Sequence, residues 1–167
     1  MTDSDGRPQA TPTDHSRADR DTASAGTDLP AGYDLRETTP SVAAFRRLRQ
    51  EAGMADRSQE AVTQGLDNTT YGVHIVEEAT GMAVGMGRIV GDGGSVFHVS
   101  DMAVAAPHQG RGLGSVLMET LVSWLRENAP DGAVVNLLAD VDGFYERWGF
   151  RHAAPASKAM VVRSEEL

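Results

Sequence analysis

The chain of 167 residues contains no cysteine. Disulfides, thiolate metal sites and a cysteine nucleophile are therefore excluded, and redox chemistry says nothing about the compartment. It also lacks any apolar run near the roughly eighteen residues that a membrane helix needs, although 40% of its residues are hydrophobic. This combination predicts one soluble domain with a full core and no membrane partner. The first residues are polar and hold no apolar leader segment, so no secretory signal is expected and the cytoplasm is the default location. Lysine is nearly absent: Lys158 stands alone among the arginines, a bias of composition rather than a site. Fifteen basic residues stand against twenty-four acidic ones, for a formal net charge of -9. Such a chain is a poor partner for nucleic acid, whose non-specific affinity comes mainly from Lys and Arg on phosphate. Any anion it binds must be bound locally. His74, His108 and His152 are scattered without HExxH or similar ligand spacing, so no metal is expected.

Residues 1–30 are Asp, Thr, Ser, Ala, Pro and Arg with almost no large apolar side chains, too little to offset the entropy of ordering. They predict a disordered acidic tail, either passively solvated or used for docking, ahead of a folded domain over residues 31–167. From Tyr33 the pattern changes. YDLRE alternates like a short strand. TTPSVAAFRRLRQEAG then offers Thr39 or Ser41 as N-cap, with Val42, Phe45, Leu48 and Arg49 at helical spacing and Gly53 as a stop. A second short helix is predicted from Ser58 to Leu66. YGVHIVEEA, MAVGMGRIVGD and SVFHVSDMAVAA follow with turns near ATG and DGG, the pattern of an antiparallel meander. Next, Leu113, Val116, Leu117, Leu121, Trp124 and Leu125 mark one face of a helix ending near Asn128, before Pro130. AVVNLLA reads as a strand, DGFYERWGF as a short helix stopped by Gly149, and KAMVVR as a last strand. The sum is a mixed α+β sheet domain without internal repeats.

The stretch PHQGRGLGSVL joins a strand to the long helix. It is no Rossmann loop, because the third glycine falls at Gly114 where that fingerprint wants Ser115, and no Walker loop, because no Gly-Lys-Ser/Thr follows. The first N–H groups of the helix, from about Gly112, are unpaired in such a turn and favour an anion. Glycine admits positive φ and close approach of a ligand. Gln109 and Arg111 add donors at the rim. On geometry alone the alternative is a strand-to-helix turn that happens to be glycine-rich.

VSDMAVAAPHQGRGLGSVLMETLVSWL together with FYERWGF resembles the GNAT superfamily of N-acetyltransferases. The family's Gln/Arg-x-x-Gly-x-Gly/Ala signature stands here as Gln109, Gly112 and Gly114, and the likeness covers Tyr33 to Arg163. The resemblance implies a strongly twisted mixed sheet of six to seven strands with about four flanking helices, splayed into two halves after the strand that carries Val104. It implies acetyl-CoA as donor, with its pyrophosphate on the N–H groups of Gln109, Gly110, Arg111, Gly112, Leu113, Gly114 and Ser115. The pantetheine arm would pair with main chain at Met102, Ala103 and Val104. A homodimer is compatible with the resemblance, but nothing in the chain marks an interface.

Amine attack on a thioester needs a neutral amine, a donor for the oxyanion and a proton for the departing thiolate. An alkylamine titrates near ~10.4 and a thiol near ~8.5, so a base is useful and the leaving group needs modest help. Tyr145 stands where the resemblance places a general acid bonded to the CoA sulfur; the alternative is a packed aromatic whose hydroxyl finds a backbone partner. His98 and Asp101 are the candidate base residues. Strand alternation puts His98 and Ser100 on the face opposite Asp101. His98 resembles one of two strand histidines in the arylalkylamine branch, but the second is Ser100 here, so a satisfied histidine remains the alternative. Asp101 would accept from a substrate ammonium or anchor nearby backbone. Arg88 would contact an acceptor anion or form a surface ion pair. The expected activity is acetyl transfer to the primary amine of a small molecule by direct attack in a ternary complex, with a small cationic or amino-acid amine favoured. The alternatives are a catalytically silent acyl-CoA sensor and a transferase acting on a protein amine.

Overall fold

A computed structural model of the protein describes residues 28–166. The tail expected over residues 1–30 lies outside them except for its last three positions, and one of these, Leu29, packs against the core. Strand β1 (Tyr33–Arg36) leads into helices α1 (Val42–Glu51) and α2 (Gln59–Asp67). Ser41 and Ser58 cap these helices, their hydroxyl oxygens accepting from Ala44 N at 3.3 Å and Ala61 N at 3.1 Å. Each cap satisfies one of the orphan donors of a first turn. Of Thr39 and Ser41, the cap is Ser41.

Strands β2 (Tyr71–Glu77), β3 (Met82–Gly91) and β4 (Val96–Val104) form the expected meander, and β1 adds antiparallel to β2. At the β3–β4 turn Asp92 Oδ1 accepts from the N–H groups of Gly94, Ser95 and Val96 at 2.8 to 3.0 Å. The Ser95 hydroxyl and these amides hold its carboxyl far below the usual carboxylate range. Helix α3 (Leu113–Asn128) then crosses to β5 (Val134–Leu137), which lies parallel to β4, giving the order β1-β2-β3-β4-β5. A single parallel pair joined by a helix is the crossover that such pairing requires.

The sheet is covered on both faces. On one, Val116, Leu117, Leu121 and Leu125 of α3 meet Val73, Ile75, Ile89, Phe97 and Val99. On the other, Phe45 and Leu48 of α1 and Val62 of α2 meet Ala83, Met86, Ala103 and Ala105. Burial of this apolar surface is the main force holding the layers together.

Two irregularities shape the site. First, β5 pairs with β4 only from Val96↔Val134 to Val99↔Leu137, whereas β4 continues to Val104. From Ser100 onward β4 has no strand beside it on that side, and the sheet opens there. Second, the β3–β4 register slips between Met86↔Ala103 and Arg88↔Ser100, so Gly87 opposes both Asp101 and Met102. This is a bulge, and Asp101 takes the left-handed conformation, φ 56°, that usually falls to glycine.

The architecture is the expected mixed α+β sheet, with five strands and three α-helices among the described residues against the six to seven and about four expected. The last strand expected over KAMVVR does not form among the described residues: Met160 is 94% and Val161 74% exposed. Their apolar character gives them strand propensity, but a strand also needs an edge to pair with, and these residues lie against none. The turn over DGFYERWGF is a 3-10 helix, Tyr145–Trp148, closed by Gly149. No helix among the described residues is long and apolar enough to cross a membrane.

Candidate active site

Where β4 ends, a 3-10 turn (Ala106–His108) carries the chain into the glycine loop. Gly110 and Gly112 both have positive φ, 73° and 84°, and Gly112 caps α3 from the left-handed region. The consequence lies in the amides. Gln109 N donates to Ala106 O and Ser115 N to Gly112 O, but the N–H groups of Gly110, Arg111, Gly112, Leu113 and Gly114 have no partner among the described residues. Five consecutive free donors at a helix N-terminus form an anion cradle. The cradle is two residues narrower than expected, because Gln109 and Ser115 use their amides internally.

The side chains at the rim also differ from expectation. Gln109 Nε2 donates to Val104 O at 2.9 Å, tying the loop to the end of β4. Arg111 Nη1 donates to the Tyr33 hydroxyl at 3.1 Å, and that hydroxyl is hydrogen-bonded to His108 Nδ1 at 2.9 Å. Both side chains thus brace the loop, and β1 is part of the brace. A further cation beside the loop is one the motif does not name. Arg147 donates to Ser115 Oγ at 2.6 Å and stacks over Phe144 and Trp148.

The loop forms one side of a cleft of about 780 Å³ that runs along Met102, Ala103 and Val104 to Tyr145. Tyr145 is 8% exposed, and its hydroxyl has no hydrogen-bond partner among the described residues. Burial, and secondarily the charge of Asp140, pushes its pKa up. The phenol therefore holds its proton firmly at neutral pH.

Behind Tyr145 a second cavity of about 160 Å³ adjoins the first, sharing Met54, Met102, Asp140 and Tyr145 with it. His98, Ser100 and Asp101 all line it. This corrects the expectation from strand alternation: the bulge at Asp101 inserts one residue, and the carboxylate turns to the same face as His98 and Ser100. His98 Nδ1 meets Asn136 Oδ1 at 2.5 Å, across the parallel pair. With the amide oxygen accepting, Nδ1 carries the proton and Nε2 is the lone-pair nitrogen of the neutral ring.

Asp101 is no open acceptor. Its Oδ1 takes a hydrogen bond from Arg49 Nη1, its Oδ2 takes one from Arg88 Nε at 2.6 Å, and Arg57 Nη2 lies 3.8 Å away. Arg88, expected as a contact for an acceptor anion or a surface pair, is 7% exposed and also donates to Gly65 O at 2.6 Å. It belongs to a buried ion cluster that joins α1, α2 and the bulge. Arg49, buried likewise, donates to Ala55 O at 2.7 Å. Burial first, then the charges of Arg57 and Arg88, hold Arg49 below its ordinary value against the pull of Asp101.

Comparison with known proteins bears on this geometry. Residues 69–152, half the chain, match the acetyltransferase (GNAT) domain family. A probable acetyltransferase structure from Staphylococcus aureus superposes with a TM-score of 0.74 at 32% identity, over 78% of this chain and 98% of that one. The chain belongs to the GNAT acetyltransferases. As a GNAT protein it is an acyl-CoA N-acetyltransferase. Other relatives are more distant. Glucosamine 6-phosphate N-acetyltransferase of Candida albicans is 25% identical over 74% of this chain and 92% of its own length. A GNAT acetyltransferase from Brucella melitensis, solved with acetyl-CoA, shares the fold with a TM-score of 0.54 at 22% identity, over 72% of this chain and 83% of that one.

Sequence reasoning missed several residues of this GNAT site. Asn136 had a signal available, because a parallel neighbour of SVFHV places it beside His98. Arg147 stands two residues after Tyr145 in the same short turn. Tyr33, Arg49 and Arg57 carried no signal, since their roles depend on contacts with residues 44 to 78 positions away.

Proposed function

We propose that the protein moves an acetyl group from acetyl-CoA to the primary amine of a small molecule by direct attack in a ternary complex, without a covalent enzyme intermediate. The observation that carries this reading is the meeting of two cavities at Tyr145, one with the amide cradle and one with His98. Acetyl-CoA supplies the acyl group as a thioester. The chain's residues suit that donor: five free amides for a pyrophosphate, Arg147 beside them, and the unpaired side of Met102–Val104 along the cleft. Tyr145 gives the proton that the departing thiolate needs, and His98 Nε2 accepts the proton of the attacking amine. Asp101 positions the wall behind them, its oxygens being held by Arg49 and Arg88. A second cavity of about 160 Å³ suits a small acceptor. The activity named for the Candida relative, on an amino-sugar phosphate, is in keeping with this.

The primary test is release of free CoA thiol from acetyl-CoA with polyamines, arylalkylamines, amino acids, amino sugars, aminoglycosides and peptide N-termini. Acetyl-CoA binding without release for any acceptor would favour a silent acyl-CoA sensor. Tyr145→Phe is expected to lower kcat at least about tenfold with the KM for acetyl-CoA nearly unchanged. An unaltered kcat removes the acid role. Because Tyr145 acts when protonated and its pKa is raised, the rate it supports is full at neutral pH. It is lost only as pH climbs beyond the usual tyrosine value of about 10. His98→Ala is expected to lower kcat/KM about tenfold with the KM for acetyl-CoA nearly unchanged. A variant with unaltered kcat/KM excludes His98 as the base.

A further inference from the structure

The acceptor cavity is lined by Arg49, Arg57 and Asp101, and the cluster they belong to has more positive charge than its one buried carboxylate can balance. Asp101 is paired with Arg49 and Arg88 at hydrogen-bond range, and Arg57 stands 3.8 Å off an oxygen already taken by Arg49. Three guanidiniums therefore surround one carboxylate. Arg57 is 40% exposed at the side chain and has no other acidic partner among the described residues. Acceptors are short within the cluster too: Arg49 Nε is buried without a partner. Asp140, which lines both cavities together with Tyr145, supplies negative charge where they join. His98, also on this wall, is engaged with Asn136 through Nδ1.

Resting on the acetyltransferase reading above, we infer that the acceptor is an amine that also carries an acid group. Arg57, backed by Arg49, receives the acid group, and the amine lies toward Asp140 and Tyr145. Guanidinium groups bind carboxylate and phosphate through paired, charge-assisted hydrogen bonds, so the shared chemistry is that of a small oxyanion. The protein's net charge of -9 had favoured a cationic acceptor, but the far surface is screened over about 10 Å. At the cavity the local arginines outweigh it.

The test compares matched acceptors that differ only in the acid. One arm sets amino acids against their amides, and the other sets aminoethyl phosphate and glucosamine 6-phosphate against aminoethanol and glucosamine. The acid-bearing member of at least one arm is expected to show the higher kcat/KM, and the arm that responds identifies carboxylate or phosphate. In Arg57→Ala the ratio of kcat/KM for acid-bearing over neutral acceptor is expected to fall about tenfold or more, and Arg57→Lys should recover part of it. Preference for polyamines or neutral amines in both arms overturns the inference while leaving acetyl transfer standing, as does an unchanged ratio in Arg57→Ala. Should no amine release CoA, the transferase reading fails, and calorimetry decides the inference separately. Amino acid or aminoethyl phosphate binding about tenfold tighter to wild type than to Arg57→Glu, with CoA present, upholds it, and equal affinity overturns it.

Discussion

Replacing Asp101 by alanine is expected to lower the unfolding free energy by about 3–5 kcal/mol, because removing one partner of a buried ion pair strands the other. Here it strands two, Arg49 and Arg88, each 7% exposed, with Arg57 adding repulsion nearby. A domain with a total of about 5–15 kcal/mol would be left marginal. The measurement is the urea midpoint at constant m. Asp101→Gly separates backbone from charge, since glycine accepts φ 56° freely and should recover about 1–2 kcal/mol relative to alanine. A loss below about 1 kcal/mol in Asp101→Ala would show that the cluster contributes little. Activity of any Asp101 variant must be read under conditions where it is folded.

The second large effect belongs to the donor loop. Gly112→Val is expected to weaken acetyl-CoA binding about a hundredfold or more. A β-branched residue at φ 84° carries strain of about 1–3 kcal/mol, and relieving it turns amides out of the cradle at about 1.5–3 kcal/mol for each bond to a charged group. Arg111→Ala should cost less than tenfold, since its guanidinium bonds the Tyr33 hydroxyl and only braces the loop. Calorimetry with acetyl-CoA orders the two, and the reverse order would show that side chains, not amides, hold the anion. Gly114→Val falls on the same side as Gly112→Val for a different reason. Its Cβ would already stand 3.5 Å from Phe144, so larger branches press on the wall that carries Tyr145.

Most of the fold was legible because it is written locally. Ser41 and Ser58 announce their helices, DGG its turn, and the apolar face of α3 its packing. The donor loop was legible for the same reason, being a property of consecutive residues. The acceptor side was not. Arg49 looked like part of an apolar helix face and Arg88 like a surface cation; each becomes a buried ion only when α1, β3 and the bulge meet. The bulge has no strong local signature, since the asparagine or glycine that usually marks a left-handed residue is replaced by Asp101, held by its arginines. KAMVVR shows the opposite failure, a local propensity with no edge to satisfy it.

The extra residue at Asp101 also sets how β4 can vary over evolutionary time. Upstream of it, Phe97 and Val99 point to α3; downstream, the alternation is reset, so Met102 and Val104 pack on that same side and Ala103 on α1. Deleting one residue there would turn the second half of the strand over, exchanging the faces of Met102, Ala103 and Val104 together. Substitutions along this strand are graded in severity, whereas a single in-frame codon loss at the bulge reverses the wall of the donor cleft in one step. The length of this segment is thus constrained alongside the identity of Asp101.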